Sequence, residues 1–175
     1  MIVRKFLQWE MAMRWIEVLF LSAVASMADA SEIVPPDPWE IIHTARLYGE
    51  AEVGRDKMRD PLITATLADR QGDLSLGYQI NFYDCRLGRN CQTVLFRARL
   101  ESEDWEEAPP DLELFDAWNR GKLFGRAYWA EDGQAVLEHP VAMHAGLPKE
   151  TLAATFDAWR TALNDYEEYL GISAR

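Results

Sequence analysis

At 175 residues and 20.1 kDa the chain holds one domain of ordinary size plus about 30 residues, which excludes two full domains. With 49% hydrophobic and 27% charged residues it can bury a core and lacks the composition of disorder. Eighteen Lys and Arg against 29 Asp and Glu leave a net charge of -11, which speaks against any broad contact with nucleic acid or anionic lipid.

Residues 1–30 read as a secretory signal. Arg4, Lys5 and Arg14 precede an apolar run from Trp15 to Met27, and Ala28-Asp29-Ala30 is a small-x-small cleavage pattern. The run is about 13 residues long, where a membrane-crossing helix takes about 20. Cleavage near Ala30 is therefore expected, leaving a periplasmic or secreted chain with no membrane insertion. Met11 or Met13 would each start a more compact signal than Met1. An amphipathic first helix is the competing reading, but Leu19, Phe20, Leu21, Val24 and Met27 leave no consistent polar face.

Residues 31–36 form an exposed, proline-bearing leader to a domain spanning 37–172. Asp37 is a good N-cap with Pro38 at the first helical position, and Trp39, Ile42, Ala45 and Leu47 mark a short helix ending at Gly49. Residues 50–58 alternate weakly. Asp60-Pro61 turns into the β-rich segment 62–67, and Gln71-Gly72-Asp73 is the next turn. Leu74, Leu76, Tyr78, Ile80 and Phe82 then share one face of a half-buried strand. The return strand runs from Thr93 to Leu100, with Arg97 and Arg99 on a solvated outer face.

Between these strands lie Cys85 and Cys91. An even cysteine count in an exported chain argues for a disulfide, and a turn containing Gly88 and Asn90 can bring the two Cβ atoms within the roughly 4 Å that a bridge needs. A zinc site joining the cysteines to His139 and His144 is the alternative, but neither Cys-x5-Cys nor His-x4-His is a specific zinc spacing.

Residues 101–108 form an acidic loop, read as a solvated connection or as a partner contact anchored by Trp105 and rimmed by Glu106 and Glu107. Pro109-Pro110-Asp111 opens a second helix with Leu112, Phe115 and Trp118 at helical spacing, which Asn119 and Gly121 end. Strands from Gly125 to Ala130 and from Gln134 to Pro140 meet at Asp132-Gly133. Leu152, Phe156, Trp159, Leu163, Tyr166 and Leu170 then form one stripe along a final helix, for the core or partly for a homodimer interface. The order α-β-β-β-β-α-β-β-α predicts an α+β domain with a single antiparallel sheet and its helices on one face.

Gly-rich phosphate loops, His-Glu-x-x-His, Gly-x-Ser-x-Gly and Cys-x-x-Cys are absent, so no cofactor and no metal are expected. A nucleophile would have to be Ser75, Ser102 or a threonine, none of them in a recognisable turn. No catalytic residue is assigned.

Two stretches, NFYDCRLGRNCQTVLFRARL (81–100) and FDAWNRGKLFGRAYWAEDGQAVLEHPV (115–141), resemble the paired motif blocks of the YbjN-domain family, labelled as bacterial sensory transduction regulators. The positions that carry the resemblance are Phe82, Tyr83, Cys85, Cys91, Leu95, Phe96, Trp118, Asn119, Phe124, Arg126, Tyr128 and Gly133, within a match extending over roughly 37–170. Gly121-Lys122-Leu123 departs from the more basic run of the family, which weakens any anion-binding role there. The resemblance implies a fold like that of type III secretion chaperones, small domains that often dimerise and hold a partner polypeptide, and it implies no catalytic residues. Read from their own chemistry, Trp118 and Phe124 are core, Asn119 is a helix stop and Gly133 is a turn. A binding module for a protein or peptide partner in the bacterial envelope follows, with its site in an apolar groove between sheet and helices. The alternatives are a small-ligand sensor with an enclosed apolar pocket and a hydrolase using a buried histidine.

Overall fold

A computed structural model describes residues 32–68, 75–102, 105 and 109–172. The signal segment 1–30, the turn 71–73, Leu74, Glu106 and Glu107 lie outside the described residues. Glu32–Arg175 forms a compact unit that contains all the described core residues.

In chain order the elements are β1 (Ile33–Val34), α1 (Pro38–Ala45), β2 (Ala51–Arg55), β3 (Pro61–Ala68), β4 (Ser75–Tyr83), β5 (Thr93–Leu100), α2 (Leu112–Gly121), β6 (Arg126–Trp129), β7 (Ala135–Ala142), β8 (Leu147–Pro148) and α3 (Lys149–Leu170). The expected order is present, with β1 and β8 added. Six strands make one open antiparallel sheet in the order β2-β3-β4-β5-β7-β6. Helices α1 and α2 are capped as their sequences require, whereas α3 follows Pro148 without a side-chain cap. Asp37 accepts from the Trp39 N–H at 2.9 Å, and Asp111 accepts from the Glu113 N–H at 3.0 Å.

Period-two alternation puts Ile63, Ala65, Leu67, Leu76, Tyr78, Ile80, Phe82, Val94, Phe96 and Ala98 on one buried face. Helix α3 lies on this face through Leu152, Phe156, Trp159, Leu163 and Tyr166, all fully buried. The Phe96 ring is edge-on to Phe156 at 5.1 Å between centroids and 5.6 Å from Trp159. Burying each such side chain contributes about 1.5–3 kcal/mol. Five of the six stripe positions thus serve the chain's own core, and Leu170 at the C-terminal end is half-buried. No helix among the described residues is long and apolar enough to cross a membrane.

Two local readings change. The leader is not simply exposed: Val34 and Pro36 are buried, β1 pairs with β8, and the Glu32 carbonyl accepts from the Lys149 N–H at 2.8 Å at the start of α3. The buried face of α1 is Pro38, Ile41, Ile42 and Ala45, whereas Trp39 and Leu47 point to solvent. In so short a helix the sheet selects the face, and spacing alone does not.

Cys85 and Cys91 are joined by a disulfide that closes the β4–β5 turn. Cys91 is fully buried, and its N–H donates to the Pro36 carbonyl at 2.9 Å. Opening the seven-residue ring should lower unfolding free energy by about 2.4 kcal/mol, the loop-entropy value for that length. Urea unfolding of the oxidised chain, the reduced chain and a Cys85→Ser, Cys91→Ser variant checks this. Equal midpoints for all three would contradict it.

Candidate functional site

An open six-stranded sheet leaves two edges whose backbone donors and acceptors need partners. This chain treats its two edges differently. At β6 the side-chain amide of Asn119 donates to the Ala127 carbonyl and accepts from the Ala127 N–H, both at 2.8 Å. One amide thus stands in for a neighbouring strand. Asn119 is therefore not a helix stop, since α2 continues to Gly121.

The other family-motif residues build the support for this contact. Trp118 is buried, with its ring 4.9 Å from Tyr166 and 5.3 Å from Tyr169, which ties α2 to α3. Lys122 lies 5.1 Å over the Trp118 ring and pairs with Asp165 at 3.0 Å. Phe124 stacks on His139 at 3.7 Å, and burial lowers the pKa of that imidazole. Gly133, at φ 80°, forms the tip of the β6–β7 hairpin. Phe82 belongs to the core, while Tyr83 is exposed on the outer face.

On the uncovered face Arg126 lies opposite Glu138, whose carboxylate accepts from Arg97 Nη2 and from the Tyr128 hydroxyl, both at 3.2 Å. Burial, and then the Glu138 charge, raise the pKa of Tyr128. Arg99 pairs with Asp132 at 2.6 Å. The two arginines read as a solvated face are thus held in ion pairs, and Arg97 is largely buried.

The β2 edge is different. Arg46 Nε donates to the Ala51 carbonyl at 3.2 Å, so that carbonyl points away from β3. By strand periodicity Val53 and Arg55 turn their backbone groups to the same open side. At the start of β2 lies a cleft of about 560 Å³ lined by Arg46, Gly49, Glu50, Glu52, Thr64 and Thr66. It is open to solvent rather than enclosed, and Ala51 and Ala65 add apolar surface to its lining. A Cβ at Gly49 would fall 2.0 Å from the Thr66 carbonyl oxygen, so the chain crosses there only as glycine.

Trp105 packs edge-on against Trp129 at 5.5 Å and is half-buried. The indole expected to anchor a partner is thus engaged with the fold itself. His139 is taken up by its ring stack, His144 is exposed, and both cysteine sulfurs are in the disulfide. Among the described residues, no group of three or more His, Cys, Asp or Glu is arranged to hold a metal ion. Sequence reasoning missed both edge features. A helix-terminal Asn after Trp118 was the signal for the first, and the weak alternation of 50–58, too short to mark a central strand, was the signal for the second. Asn119→Ala leaves two backbone groups of Ala127 without their partner and should lower stability by about 1–3 kcal/mol. Thermal unfolding measures this, and an unchanged midpoint would contradict the bracing role.

Residues 75–171 match the YbjN family, described as "putative bacterial sensory transduction regulator". No curated protein and no solved structure matches the chain. The match starts at β4 and runs past α3, so it takes in the disulfide turn, the Trp118-Asn119 pair and the β6–β7 hairpin, and it is narrower than the resemblance over 37–170. With more than half of its length matched, the chain belongs to the YbjN family.

Proposed function

We propose that this chain is an exported, non-enzymatic regulatory module that binds a protein partner in the bacterial envelope by taking an extended segment of it along β2. The observation that carries this reading is the unequal treatment of the edges. Asn119 satisfies both backbone groups of Ala127 on β6, while at the β2 edge Arg46 reaches only the Ala51 carbonyl and the ladder register turns the backbone of Val53 and Arg55 away from β3. Strand addition draws affinity from main-chain hydrogen bonds and specificity from the alternate side chains. Arg46, Glu50 and Glu52 beside the edge would select a partner segment carrying both charge signs. Membership of a regulator family agrees with a binding role.

Export is supported by the signal-like residues 1–30, by a compact unit that begins at Glu32, two residues past Ala30, and by the Cys85–Cys91 disulfide. The test is a cross-linking pull-down from the native cells with the wild-type chain beside Val53→Pro. Proline there removes an N–H from the open side and leaves the β3 ladder intact. A saturable envelope partner, captured by a chain beginning near Ser31 and lost on Val53→Pro, is the expected result. Capture that survives the substitution, or no saturable partner, would overturn the reading.

A further inference from the structure

The end of the sheet where β4 turns into β5 carries features that the edge reading does not use. Inside the disulfide ring, Arg86 and Arg89 exchange two backbone hydrogen bonds of 2.7 and 3.0 Å. This makes a tighter hairpin whose central residues, Leu87 and Gly88, both have positive φ, 54° and 73°. The β2–β3 turn lies beside it, because a Cβ at Gly88 would sit 3.7 Å from Pro61 and 3.9 Å from Arg55. In that turn Asp56 accepts from the N–H groups of Met58 and Asp60, and Arg55 donates to the Arg59 carbonyl.

Among the described residues the non-glycine residues at positive φ are Arg59, Asp84, Leu87 and Asn90, and all four lie in these two adjoining turns. Asp and Asn tolerate that region, whereas Leu and Arg enter it only against the clash of Cβ with the following carbonyl. The tight hairpin selects positive φ at its two central positions, and it holds Leu87, with no contact needed from the core, 103% exposed at its tip. Met58, in the neighbouring turn, is 83% exposed. Arg89 pairs at 3.6 Å with Asp37, the N-cap of α1, on whose first turn Trp39 stands 56% exposed. Arg55, Lys57, Arg59, Arg86 and Arg89 share these turns with Asp56, Asp60 and Asp84, and with Asp37 as the partner of Arg89 the count is five cations to four carboxylates, a small local positive excess on a chain of net charge -11.

We propose that these two turns dock the domain on an anionic bilayer surface, with Leu87 and Met58 entering the headgroup boundary and the arginines and lysine meeting lipid phosphates. Apolar tips ringed by cations are the composition that seats at that boundary. Two convex tips side by side match a plane, whereas a pocket on a protein would take one. The contact is local, so the negative charge elsewhere is screened beyond about 10 Å and does not forbid it. The disulfide holds the inner hairpin ready, which reduces the ordering cost of docking.

The test is co-sedimentation of the chain from Ser31 onward, which carries the whole compact unit, with vesicles of phosphatidylcholine alone and of equal parts phosphatidylcholine and phosphatidylglycerol. Binding to the anionic vesicles is expected, weakened by salt and lowered about tenfold or more by Leu87→Ser with Met58→Ser and by Lys57→Glu with Arg86→Glu. Thermal unfolding verifies that these exposed positions leave the fold intact. No partition onto anionic vesicles, partition indifferent to both variants, or capture of a soluble protein through Leu87 without any partition would overturn the proposal. Val53→Pro should leave vesicle binding unchanged, which separates this surface from the β2 edge.

Discussion

The contact of Phe96 with Phe156 and Trp159, at the centre of the inner sheet face, fixes what the rest of the molecule can do. Those rings, with the rest of the α3 stripe, commit one face of the sheet and the whole apolar side of the longest helix to a single core. Leu152, Phe156, Trp159, Leu163 and Tyr166 are fully spent there, and Leu170 at the end of the stripe stays half-buried. What the core leaves uncovered is the two edges, the outer face and the loops at the sheet ends, and the proposed binding surfaces lie there.

Those remaining surfaces are not equivalent. The outer face is tied up by cross-strand ion pairs around Glu138 and Asp132, and the β6 edge by the Asn119 amide. The β2 edge keeps the outward backbone of any sheet edge, and the turns around Leu87 and Met58 hold exposed apolar tips beside residues at positive φ. The disulfide closes the hairpin that carries Leu87, and Cys91 ties it to Pro36 while its own side chain is sealed in the core.

Much of this architecture was legible in the chain. The six-position stripe of α3 and the alternation from Leu76 to Phe82 are long and strongly periodic, and periodic burial is what sequence encodes most directly. Asp37-Pro38 and Pro109-Pro110-Asp111 mark helix starts through local chemistry, and Cys85 and Cys91 mark their own pairing. The parts that were not legible depend on non-local contacts. Ile33 and Val34 gain a strand partner only because Leu147 and Pro148 return beside them, and Trp39 is left outside because the sheet claims Ile41 instead. Asn119 braces Ala127 across a turn, where no helical or strand period connects the two.

The claim that one edge is closed and the other open can be read directly by native-state hydrogen exchange, resolved by residue, on the free domain. The Ala127 amide should be protected through its bond to Asn119, while the Val53 and Arg55 amides exchange at near-unprotected rates. Slow exchange at Val53 and Arg55 in the free domain, or rapid exchange at Ala127, would contradict the asymmetry on which the binding reading rests.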